Sequence, residues 1–289
     1  MKFNIAFLGP DHIFHLRRDF ILVLKYALES AGHDVVLSGP TLEANRFNLI
    51  IGAYFQKTEA IQSIEKSGIK YAHVNTEVVA EDMLNFDPDK VDFMGAYLPS
   101  MKAGEFVWDV IKNNMTEYER YGANAHFLRW GSHEKMKDIE RNRTKDLDFY
   151  FFGVLSNRRR KIIASLHKAG FKGGADHICP YFVRNDRISR AKVQLNIIQE
   201  DKYTHVNSFR ICYLADNGVA ILSEREKDPA GYLDYAIVTN KDELLDAVQA
   251  LLVNDEWKKR GEEAEARFEQ IKMKDVMEEL LEKSFSNNG

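Results

Sequence analysis

The stretch FNIAFLGPDHIFHLRRDFILVLKYALESAGHDVVLSG, Phe3–Gly39, decides the fold class. FNIAFLG is a short apolar run that stops at Gly-Pro, the pattern of a buried strand. LRRDFILVLKYALESAG carries apolar residues at helical spacing and stops at a glycine, so it predicts a helix. HDVVLSG predicts a second strand. Strand, amphipathic helix, strand is the βαβ unit of a parallel sheet.

The pattern continues outward from there. FNLIIGAY (47–54) predicts a third strand and TEAIQSIEKSG (58–68) a helix. IKYAHVN (69–75) predicts a fourth strand and VDFMGAYL (91–98) a fifth. AGEFVWDVIKNNMTEYERYG (103–122) predicts a helix, and NAHFLRW (124–130) a sixth strand. The strands read as continuous apolar runs, as expected when helices cover both faces. GSHEKMKDIERNRTKD (131–146) is almost devoid of apolar residues and predicts a boundary with a hinge. The pattern then restarts: LDFYFFG and VQLNII are strands, RRRKIIASLHKAG and SFRICYLADNG helices, VAILSE and YAIVT strands. Three helices follow, KDELLDAVQALLVND, EWKKRGEEAEARFEQI and KDVMEELLEKSF. The expectation is α/β: two Rossmann-like, doubly wound parallel-sheet domains facing a cleft. The first spans 1–132, a linker 133–145, and the second 146–289. Ligands in open α/β sheets sit beyond the carboxyl ends of the strands.

Bulk properties narrow the class. The chain has 289 residues, enough for two domains of about 100–150 residues each, with 45% hydrophobic and 29% charged residues. The net charge of −4 provides no global basic field, which argues against nucleic acid as a partner. Two cysteines, far apart, fit a reducing compartment. The N-terminal apolar run is too short for a signal-peptide core and no run is long enough to span a membrane. A cytoplasmic location is expected, with peripheral membrane contact left open.

Four strand-end loops hold the polar residues. GPDHIFH puts Asp11 and His12 after the first strand, where either could serve as a general base or simply begin the next helix. Glu77 follows the fourth strand, in a place that a helix dipole alone would favour. In FFGVLSNRRRKII, Gly153 ends a strand, Ser156 or Asn157 can cap a helix, and Arg158 opens a run of three arginines. A glycine turn into a helix N-terminus is an anion site through its free N–H groups; the alternative is a solvated basic helix start. After LNII, a polar stretch holds Glu200, Tyr203, His205, Asn207, Ser208 and Arg210. Asn207 and Ser208 stand at a helix start, and Arg210 lies on its first turn, an arrangement suited to phosphate.

Several of these stretches together resemble a known family. FFGVLSNRRRKII, LNII with Arg210 and Gly218, and ILSE ending at Glu224 resemble GT-B glycosyltransferases. The narrower resemblance is to the glycosyltransferase family 1-like group that includes spore-maturation-protein-like sequences. HVNTEVV and FVWDVIKNN…YGANAHFLRWG in the first half resemble the same group. The resemblance implies a nucleotide-sugar donor on the C-terminal domain and an acceptor on the N-terminal one. It implies Gly153, Ser156 and Arg158 along one side of the donor diphosphate, and His205, Ser208 and Arg210 along the other. Glu77 matches a glutamate after the family's fourth strand. One position departs: where many GT-B enzymes hold the donor ribose with a glutamate, this chain has Tyr213. A phenol cannot accept two hydrogen bonds as a carboxylate does.

The expected reaction is transfer of a sugar from a nucleotide-sugar donor to an acceptor that the residues do not identify. Helix N-termini and arginines would stabilise the leaving phosphate. Asp11, His12 and Glu77 are the candidate bases. No D-x-D motif sits at a strand end, so no metal and no cofactor is expected. The alternatives are a non-catalytic sugar-nucleotide or glycan-binding protein with a degenerate site, and a sugar-nucleotide epimerase.

Overall fold

A computed structural model of the chain describes residues 1–85, 91–201 and 205–286. It divides into two compact units. The first unit runs through β1 (Lys2–Phe7), α1 (Asp11–Ser30), β2 (Asp34–Leu37), β3 (Phe47–Ile51), α2 (Thr58–Lys66) and β4 (Tyr71–Asn75). A small antiparallel hairpin, β5 (Val79–Ala80) and β6 (Met83–Leu84), follows. Then come α3 (Leu98–Ala103), β7 (Val107–Asp109), α4 (Asn114–Tyr121) and β8 (Ala125–Phe127). Six strands form one parallel sheet in the order β2-β1-β3-β4-β7-β8. The chain starts beside the middle, winds to one edge, then returns and winds to the other. Strand order therefore reverses between β1 and β3.

The second unit repeats the plan with β9 (Leu147–Phe152), α5 (Asn157–Lys168), β10 (Gly173–Asp176), α6 (Tyr181–Arg190), β11 (Ala191–Asn196) and α7 (Ser208–Asp216). It continues through β12 (Ala220–Glu224), β13 (Ile237–Thr239), α8 (Leu244–Leu252) and α9 (Glu256–Phe268). Its parallel sheet has the order β10-β9-β11-β12-β13, with the reversal between β9 and β11. Phe149, Phe151, Val193, Leu195 and Leu222 on the strands pack against Ile162, Leu166, Leu244 and Val248 on the helices. The central strands β9, β11 and β12 are largely buried, which explains their apolar runs.

The division differs from the sequence expectation at the C-terminus. The second unit spans Gly131–Lys272, and α10 (Met273–Ser286) belongs with Met1–Trp130. Its Phe285 ring lies 5.2 Å from both Phe47 and Phe106. Trp108 Nε1 donates to Ser284 Oγ at 2.8 Å. The expected linker is part of the second unit: Asn217 Nδ2 donates to Met136 O, and Ile139 N donates to Asn217 Oδ1.

Two assignments within the first unit also change. The stretch expected as a fifth strand is a π-helix at Phe93–Tyr97 running into α3. Phe93, Ala96 and Tyr97 are buried while Met94 and Gly95 are exposed, a helical spacing that a short apolar run conceals. Asp92 caps it, its carboxylate accepting from Gly95 N at 2.7 Å. Conversely, Val107–Asp109, expected inside a helix, is a fully buried sheet strand. Strand β10, GGAD, was not anticipated; two glycines gave it no apolar signal.

Candidate functional site

The reversal between β9 and β11 is the point at which an open α/β sheet accepts a ligand. Two helices begin there. α5 is capped by Ser156, whose Oγ accepts from Arg159 N at 3.3 Å and donates to Gln199 O at 2.6 Å. α7 is capped by Asn207, whose Oδ1 accepts from Arg210 N at 3.1 Å. Each helix sends an arginine back over the strand ends. Arg210 Nη1 donates to Asn196 Oδ1 at 2.7 Å and Nη2 to Phe152 O at 2.9 Å. Arg159 donates from Nε and Nη2 to Ile197 O, at 2.9 and 2.6 Å, and from Nη1 to Val154 O at 2.8 Å. Both guanidiniums lie over the Phe151 ring, 4.9 and 5.0 Å from its centroid.

Both arginines are buried, and among the described residues neither is within salt-bridge distance of a carboxylate. Burial holds both below the usual guanidinium range, and for Arg210 the neighbouring Arg159 pushes in the same direction. A guanidinium does not give up its proton near neutral pH. The site therefore concentrates positive charge whose direct hydrogen-bond partners are backbone carbonyls and an amide, with Glu226 the nearby carboxyl that acts on both guanidiniums. Arg210 Nε is buried with no hydrogen-bond partner. Gly153 makes room: at φ +132°, an added Cβ there would stand 2.7 Å from Arg210 Nη2. Residues 151–210 contain twelve Lys/Arg against four Asp/Glu, so the modest overall charge hides a locally basic stretch.

Other expected site residues are placed differently. Arg158 turns away from Arg210 and is held by Glu224 through paired bonds of 2.7 and 2.6 Å, by Ile198 O and by Asp201. Glu224 is buried and also accepts from Ile198 N at 2.7 Å. Tyr213 is buried, its hydroxyl donating to Asp138 Oδ1 at 2.6 Å, with Asn185 Oδ1 at 3.0 Å. Its phenol ties α7 to the segment before β9 and to α6. His205 is half-buried and pairs across an isolated bridge with Lys227; burial lowers its pKa. Asn157 is the first residue of α5, Ser208 the first of α7, and Glu200 is exposed. Tyr203 lies outside the described residues. Arg159 was missed in the sequence: it is adjacent to Arg158, and only the helix phase separates them.

In the first unit, Asp11 and His12 form the exposed first turn of α1, after Pro10 at the N-cap. They stand at the carboxyl end of β1, beside that sheet's reversal. Glu77 is not open in the same way. Its carboxylate pairs with Arg17 of α1, accepts from Tyr54 Oη at 2.6 Å and Thr76 Oγ1 at 3.2 Å, and accepts from Asn85 Nδ2. Desolvation and the adjacent Glu77 charge raise the Tyr54 phenol.

A cavity of about 680 Å³ opens between α5 and α8, lined by Arg158, Lys161, Glu200, Asp201, Lys241 and Leu245 among others. It contains neither Arg159 nor Arg210. Among the described residues there is no cluster of metal-ligand side chains, and no helix is long and apolar enough to cross a membrane.

No protein-family model matches the chain, and no curated protein matches it. Solved structures do. T4 phage beta-glucosyltransferase in complex with its UDP-glucose substrate superposes with a TM-score of 0.61 at 13% identity, covering 98% of this chain and 99% of that chain. An alpha-glucosyltransferase in complex with UDP and a 13-mer DNA gives 0.64 at 8% identity, covering 98% and 99%. Sucrose-phosphate synthase from Thermosynechococcus elongatus gives 0.61 at 10% identity and covers both chains completely. The chain therefore has the GT-B fold, built from two Rossmann-like α/β units.

Proposed function

We propose that this protein is a glycosyltransferase that takes a nucleotide-sugar donor. The donor diphosphate sits on the second unit and the acceptor on the first. The observation that carries this is the pair of buried guanidiniums, Arg159 and Arg210, without carboxylate partners at the β9/β11 reversal. The fold shared with UDP-glucose-binding glucosyltransferases supports the same reading.

In the reaction, the bond between the anomeric carbon and the diphosphate oxygen breaks. An acceptor hydroxyl oxygen bonds to that carbon, and its proton passes to a base. Negative charge grows on the leaving diphosphate. Guanidiniums already fixed over the strand ends stabilise that charge without reorganising. Glu77 is fully engaged with Arg17, Tyr54 and Asn85, which leaves Asp11 and His12 as the better candidates for the base. No metal is needed for this scheme. The acceptor class stays open, nucleic acid included, because the net charge does not describe the basic stretch 151–210.

A thermal-shift screen against UDP, GDP, UDP-glucose and other nucleotide sugars tests the donor assignment. A ligand at 100 times its dissociation constant stabilises by about 2.7 kcal/mol. Absence of stabilisation by every nucleoside diphosphate would remove the proposal. Release of UDP or GDP from the stabilising nucleotide sugar then separates an enzyme from a binding protein, and product analysis separates transfer from epimerisation.

A further inference from the structure

Asn196, at the end of β11, links two charged groups. Its Oδ1 accepts from Arg210 Nη1 at 2.7 Å. Its Nδ2 donates to Glu226 Oε1 at 2.8 Å and to Ser223 Oγ at 2.8 Å. The amide is thus fixed in one orientation, with the guanidinium on one side and the carboxyl on the other. Glu226 is mostly sequestered from solvent, and burial pushes its carboxyl up to about 8, against the pull of Arg210, Asn196 and Arg159 and with the push of Glu224. The charged and titratable groups facing it are Arg210 on α7, Arg159 on α5 and Glu224 on β12. Beside it in the chain is Lys227, whose backbone forms an isolated β-bridge with that of His205.

We infer that Glu226 is a positioning residue that sets the charge of the Arg159–Arg210 site, and that this site takes a diphosphate with the Glu226 carboxyl protonated. The inference rests on the donor reading above. A protonated Glu226 still serves Asn196 through its carbonyl oxygen and adds no negative charge beside the ligand. An ionised Glu226 opposes the incoming anion and neutralises part of the field that would hold it. Anion binding and proton binding at this carboxyl are therefore coupled and favour each other.

The sign follows. As pH rises through the carboxyl's own range, the free protein loses a proton that the complex retains, so affinity falls. UDP binding by calorimetry should weaken up to about ten-fold between pH 7 and pH 9. In Glu226→Gln, the glutamine oxygen keeps the bond from Asn196, and the pH dependence should vanish. Inorganic pyrophosphate should also bind at pH 7, without base or ribose. A second measurement needs no variant: UDP binding at pH 8.5, in two buffers of different ionisation heat, should take up about three-quarters of a proton. UDP bound with the same pH slope in both proteins, or with no proton uptake, would overturn the role of Glu226 while leaving the donor reading intact. No binding of UDP or pyrophosphate at pH 7 would overturn both.

Discussion

Arg159 and Arg210, fifty-one positions apart in the sequence, stand over the same ring, Phe151, at 4.9 and 5.0 Å. Each reaches it from the first turn of a different helix, and each is held by carbonyl or amide oxygens at the ends of β9 and β11. Two like charges so placed repel in a poorly solvated site. The arrangement makes physical sense if an anion completes it.

The neighbouring arginines of α5 should separate structure from binding. Arg159→Gln should weaken UDP ten- to hundred-fold, a loss of ~1.5–3 kcal/mol. It should change stability far less, because it also removes a desolvated charge. Arg158→Gln should do the reverse. It strands buried Glu224 without its ion pair, at a cost of ~3–5 kcal/mol of stability, and leaves UDP affinity of the folded protein near wild type. Urea titration and calorimetry on both variants decide it; equal binding losses would contradict the assignment.

Tyr213 stands where the resemblance to GT-B enzymes implies a ribose-holding glutamate, but it is committed to Asp138 and Asn185. Tyr213→Phe should therefore cost ~1–3 kcal/mol in folding, and UDP affinity should not move. A large affinity loss with unchanged stability would return this residue to the donor site.

His73 is buried between Tyr71 and Tyr97, with Nε2 2.9 Å from Ser100 Oγ. Burial pulls its pKa down to about 3. A depressed value means that stability is fully present above the unfolded value, near 6.5, and is lost as pH falls toward 3. The full shift corresponds to up to about 5 kcal/mol. His73→Gln should flatten the acid limb of the stability curve between pH 6 and pH 4. Denaturant melts read by Trp108 and Trp130, both buried in this unit, would show it.

Phe285 of α10 closes an aromatic cluster with Phe3, Phe47 and Phe106. Phe285→Ala should destabilise the first unit by ~2–3 kcal/mol, toward the lower part of the range for such truncations because the ring is partly exposed. Trp108, bonded to the adjacent Ser284, is the natural fluorescence probe. An unchanged Trp108 transition would mean that α10 does not support this core.

The sequence by itself determined the alternation of apolar strands and glycine-stopped helices, and with it two parallel α/β sheets. It also narrowed the caps to Ser156 or Asn157 and to the Asn207–Ser208 pair, and the structure places Ser156 and Asn207 there, each acting on a residue three positions on. These are local signals: period, turn chemistry and short-range hydrogen bonds. Tertiary structure alone decided which sheet α10 covers, because an amphipathic face shows that a helix packs but not on what. It decided that residues 93–97 coil and 107–109 extend, where short apolar runs fit either state. It also decided the polar roles. Adjacent positions on a helix point about 100° apart, so packing turned Arg159 toward Arg210 and left Arg158 to Glu224. Likewise, Tyr213 and Glu77 met partners from distant segments, Asp138 and Arg17, that no spacing in the sequence could announce.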